Sequence, residues 1–121
     1  MKEQAYPGCL VRRVYKSPYT NMNLSLRTDF GCTEAVLAEN CGFDRFYRIA
    51  DLLMEQLKVR FTQKQDDSET SYWNFNFKGH RLTLHYNIYD GVSIFPQALR
   101  AAGRTDNEAV MELAGALTQL P

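Results

Sequence analysis

Neither sign of charge predominates in this chain. Its 121 residues carry 14 Lys and Arg against 14 Asp and Glu, so the formal net charge is zero. The basic excess that nucleic-acid binders use against phosphates is therefore absent from the overall balance. Long apolar runs are missing too; none approaches the roughly 20 residues needed to cross a bilayer. The opening stretch MKEQAYPG lacks the apolar core of a secretory signal. These absences set the expectation of a cytoplasmic protein with no membrane and no direct nucleic-acid partner. Cysteine is sparse: Cys9, Cys32 and Cys41 have no CxxC spacing. They read as reduced thiols, with one disulfide as the alternative. Gly31, Gly42, Gly79, Gly91 and Gly103 are isolated turn formers and build no phosphate-cradling loop.

Catalytic and metal constellations are scarce as well. His80 and His85 stand five apart on one expected strand, which puts them on opposite faces. They cannot share an ion, and no Cys or carboxylate set joins them at ligand spacing. His85 shares a face with Arg81, Thr83 and Asn87, without a nucleophile or orienting carboxylate. The reading assigns no catalytic residue, no metal and no cofactor.

What the chain has is alternation. Residues 9–15 read as a strand, placed at an edge because Arg12 and Arg13 break the pattern. A turn cluster follows at 17–20. In residues 21–28, Met22, Leu24 and Leu26 oppose Asn23, Ser25 and Arg27. Thr33 is expected to cap a short helical piece through Glu39. A longer helix, 43–58, gathers Phe46, Ile49, Ala50, Leu53, Met54 and Leu57 on one stripe.

Four strands then form a meander. Val59 and Phe61 face the core in the first (59–65), and Trp73, Phe75 and Phe77 in the second (71–77). Pairing Phe61 with Phe75 leaves 66–70 as a loop. A two-residue turn at Lys78-Gly79 pairs Phe75 with Leu82 and Trp73 with Leu84. A three-residue loop, Tyr89-Asp90-Gly91, sets Val92 opposite Ile88 and Ile94 opposite Tyr86, with positive φ at Gly91. A connector, 96–102, holds one helical turn. Thr105 and Glu108 read as a capping box for a last helix, 106–119, with Val110, Leu113, Ala114 and Leu117 buried. The sum is one α+β domain over 1–121. A mainly antiparallel sheet of about six strands includes the C-terminal four-strand meander, with helices packed on one face. Placement of the first two strands stays open.

The polar face of the meander supplies the candidate binding residues. Asp66, Asp67 and Glu69 form an acidic loop suited to steering a basic partner. Tyr72, Asn74, Asn76, His85 and Asn87 are adaptable contact residues on the neighbouring strands. Trp73, Phe75 and Phe77 share parity with Leu82 and Leu84, so they belong to the core and not to a base-stacking platform.

The stretch 43–96, with LLMEQLKVRF, an acidic hinge and YWNFNFKGHRLTLHYNIYDGVSIFP, resembles small immunity proteins of bacterial polymorphic toxin systems, in kind the contact-dependent growth inhibition type. The resemblance implies a cytoplasmic, monomeric, non-catalytic inhibitor. Such an inhibitor occludes one cognate partner, the C-terminal toxin domain of a secreted effector, often a nuclease. Two other readings stand beside it: a secretion chaperone or adaptor, and a small enzyme using His85.

Overall fold

The computed structural model describes residues 4–6, 10–16, 23–29 and 31–119. The alternating segments pair into one antiparallel sheet. In chain order its strands are β1 (Gln4–Tyr6), β2 (Leu10–Lys16), β3 (Asn23–Asp29), β4 (Cys32–Ala38), β5 (Phe61–Asp66), β6 (Thr70–Phe77), β7 (His80–Asn87) and β8 (Gly91–Pro96). The spatial order is β1-β2-β3-β4-β8-β7-β6-β5. Two four-strand meanders thus meet at a β4–β8 seam, where Ala35 pairs with Ile94. Helix α1 (Phe43–Glu55) carries the chain to the far edge, and α2 (Arg104–Thr118) follows β8.

The α+β layout is the expected one, and the first strands join the same sheet. It is wider than expected for two reasons. β1 pairs outside β2, so β2 is not the edge. A very short outer strand is itself a way of blunting an edge. The helical piece expected at 33–39 is strand β4. Glu34, Ala35, Leu37 and Ala38 are good helix formers, but Thr33, Ala35 and Leu37 alternate inward on a sheet that β3 and β8 complete. Tertiary pairing overrides intrinsic preference here. The turn expected at 17–20, Cys9, and the side chains of Met22 and Leu24 lie outside the described residues.

One core sits between the sheet and both helices. Phe46, Ile49, Ala50 and Leu53 of α1 and Val110, Leu113, Ala114 and Leu117 of α2 pack on Phe75, Leu82, Leu84, Tyr86, Val92 and Ile94. α1 stops at Glu55, short of Lys58, whose backbone turns left-handed (φ 58°), and Met54 stays partly exposed. The α2 cap also differs from expectation. Gly103 precedes the helix, and Asp106 Oδ2 accepts the Gly103 N–H at 3.2 Å, while Glu108 instead faces Arg104.

The meander registers follow from parity. Phe61 pairs with Phe75, Phe75 with Leu82 and Trp73 with Leu84, and the Lys78-Gly79 turn has both φ positive (51° and 84°). A bulge between Phe61 and Gln63 pairs Asp66 with Ser71 and shortens the expected loop. At the last hairpin Gly91 has φ +87°, as expected, but the register is shifted by two residues. Val92 pairs with Tyr86, Ile94 with Leu84, and the loop is Ile88-Tyr89-Asp90. The shift keeps every apolar residue on its face except Ile88, which is exposed. Gly91 fixes this choice: a Cβ there would lie 2.0 Å from the Ala38 carbonyl oxygen.

Candidate functional site

The eight residues expected to bind a partner separate into two groups. Asp66, Asp67, Glu69 and Asn87 lie at the end of the sheet where two hairpin loops meet. Tyr72, Asn74, Asn76 and His85 lie on the face opposite the helices.

At the loop end, several of these side chains build the structure. Asp66 Oδ1 accepts from the Ser71 hydroxyl and from the Trp73 indole N–H, both at 2.8 Å. Asn87 Oδ1 accepts the backbone N–H groups of Tyr89 (2.8 Å) and Asp90 (2.6 Å), and its Nδ2 donates to Asp90 Oδ2. This is the side-chain turn that Asn and Asp favour, and it shapes the hairpin. Asp67 accepts the Ser68 N–H. Glu69 bridges the two loops: its carbonyl accepts the Ile88 N–H at 3.2 Å, and its carboxylate lies 3.4 Å from the Tyr89 hydroxyl. Tyr89, absent from the expected set, is 77% exposed, with Ile88 beside it. An aromatic anchor therefore stands among Asp67, Glu69 and Asp90.

On the helix-free face, cross-strand pairing writes two rows. One runs Gln65, Tyr72, His85, Ser93, Val36, Ser25; the other runs Gln63, Asn74, Thr83, Phe95. Tyr72 packs on His85 with ring centroids 4.5 Å apart, and His85 on Phe95 at 5.6 Å. Asn74 Oδ1 accepts the Thr83 hydroxyl at 2.7 Å, and its Nδ2 donates to Gln63. Asn76 is exposed opposite Arg81. Thr83 is short among longer neighbours, so the surface sinks above it into a cavity of about 530 Å³. Gln65, Tyr72, Asn74, His85, Phe95, Gln97 and Leu99 line the remainder. His85 Nε2 is buried there with no hydrogen-bond partner. Burial pushes the His85 pKa below its ordinary value, and Glu34 and Asp90 oppose that shift.

No carboxylate is hydrogen-bonded to His85 among the described residues. The His–Asp pair lies elsewhere: His80 Nδ1 is 2.8 Å from Asp106 Oδ1, on the helix side. The His80 hydrogen bond, then the Gly103 N–H, hold the Asp106 carboxyl below its usual range. The pair docks the start of β7 onto α2. The parity of His80 signals that it points toward the helices; its partner carries no sequence signal. The two histidines do sit on opposite faces, and among the described residues no His, Cys, Asp and Glu cluster could hold a metal ion. Cys41 is a free thiol. Burial raises the Cys41 pKa, with Arg45 opposing it. No helix among the described residues is long and apolar enough to cross a membrane.

Residues 24–116 match a family model described as a protein of unknown function (DUF3630), and the chain belongs to that family. No curated protein and no solved structure matches it.

Proposed function

We propose that this member of the DUF3630 family is a cytoplasmic, non-catalytic protein-binding module. In its most specific form it is an immunity protein that occludes a cognate toxin domain. The observation that carries the reading is the loop end. Tyr89 and Ile88 project there, ringed by Asp67, Glu69 and Asp90 from two hairpins held together by the Ile88 N–H to Glu69 carbonyl bond. Exposed aromatics anchor interfaces, and like-signed charges around them steer an oppositely charged partner. The zero net charge therefore conceals a local acidic patch able to meet a basic toxin domain, a nuclease included.

The test is to mix the purified protein with the toxin domain encoded beside its gene. A 1:1 complex by size-exclusion chromatography, with protection of cells expressing the toxin, supports the reading. No complex and no protection removes it. Tyr89→Ala is expected to weaken the complex by about 2 kcal/mol, roughly thirtyfold in Kd.

A further inference from the structure

The hollow over Thr83 is a second built feature, and the loop-end contact does not use it. Three rings from neighbouring strands, Tyr72, His85 and Phe95, make a continuous aromatic wall. Gln65, Asn74 and Gln97 place side-chain amides around it, each a donor and an acceptor. The Gln97 amide N–H is anchored on the Leu82 carbonyl at 3.3 Å, which leaves its oxygen for another donor. Leu99 closes one side. It is 51% exposed and holds a left-handed backbone (φ 53°), a conformation that costs a bulky residue about 1–2 kcal/mol. Strain of this kind collects at ligand clamps.

The chemistry of the lining selects the occupant. Every residue around the cavity is uncharged once His85 is neutral, so a charged ligand would be desolvated without compensation. The aromatic wall favours a flat group, and the side-chain amides favour one that both donates and accepts. At about 530 Å³ the hollow lies within the size range of small-molecule sites. We infer that the cavity over Thr83 binds an uncharged, planar small molecule bearing both hydrogen-bond donors and acceptors, such as an amide-substituted ring or a nucleoside base. The ring lies along Tyr72, His85 and Phe95, and its polar edge reaches the amides of Gln65 and Gln97. The inference is independent of the toxin-binding reading, because Tyr89, Glu69 and Asp90 take no part in it.

The experiment uses three near-isosteric probes, benzamide, benzoate and benzamidine, together with adenosine, titrated into the full chain at pH 7.5 and followed by amide NMR shifts. Benzamide and adenosine are expected to shift the amides of Tyr72, Thr83, His85 and Phe95, and to bind at least about tenfold more tightly than the two charged probes. Thr83→Met, which fills the hollow, is expected to abolish the shifts. Phe95→Ala, which removes one ring, is expected to weaken them about fivefold or more while the chain stays folded. Shifts that map elsewhere, equal affinity for all three charge states, no binding by either neutral probe, or undiminished binding by a folded Thr83→Met or Phe95→Ala protein would each overturn the inference.

Discussion

Leu84 and His85 are consecutive residues of one strand, and they live in different media. Leu84 points at the helices, fully enclosed by α1, α2 and the neighbouring strands. His85 points the other way, half-buried between Tyr72 and Phe95. On the helix side the polar tips that intrude are engaged. The Tyr86 hydroxyl donates to the Cys41 carbonyl, the Trp73 indole to Asp66, and His80 to Asp106. On the other side the His85 ring nitrogen has no partner. Thr83 and Ser93 are buried on that side. One face is packed under the two helices; the other carries rows of polar and aromatic side chains.

That contrast can be broken by mutation. Leu84→Ala is expected to cost about 2–5 kcal/mol in a denaturant titration, through lost burial and the cavity it leaves. His85→Ala should change stability by less than about 1 kcal/mol. Similar losses for the two would mean that the helix-free face also carries the fold. Gly91→Ala should cost about 3 kcal/mol, since it adds left-handed strain to a clash with the Ala38 carbonyl. A variant melting within a degree or two of the parent would contradict the bulged hairpin.

Next comes Asp66→Ala. It removes the acceptor from the Trp73 indole and the Ser71 hydroxyl, and should cost about 1–3 kcal/mol with a shift in tryptophan emission. If Asp66 served only to attract a partner, stability and emission would stay put. The smallest effect is a pH dependence. Burial lowers the folded-state pKa of His85 below its ordinary 6.5. The unfolded chain therefore takes up the proton first, and stability present above about pH 6.5 declines as pH falls through that value. Removing the imidazole with His85→Phe should flatten this part of the profile.

Much of the helix-packed face was legible in the sequence. Trp73, Phe75, Leu82 and Leu84 share one parity, and the Lys78-Gly79 turn leaves one register that keeps them together. Elsewhere local signals competed. The segment from Thr33 to Ala38 consists of residues that favour helices as readily as strands, and only pairing with Ser93 and Ile94 decides the matter. The same limit hid the sites. Asp66 and Asn87 read as free polar groups because their partners, Trp73 and the Tyr89 and Asp90 amides, become visible only once loops close. The expected register already sets Phe95 opposite His85; the observed one moves it opposite Thr83, diagonal to His85, which opens the hollow between them. Leu99 reaches the hollow through a left-handed turn that no leucine announces.

The β4–β8 seam also has a temporal meaning. Ala35 leaves the ribosome well before its partner Ile94, so the two halves of the sheet cannot be stitched until β8 has been made. Through that interval β4 presents an unsatisfied backbone ladder to the cell. β8 is therefore the strand that withdraws this ladder from intermolecular pairing.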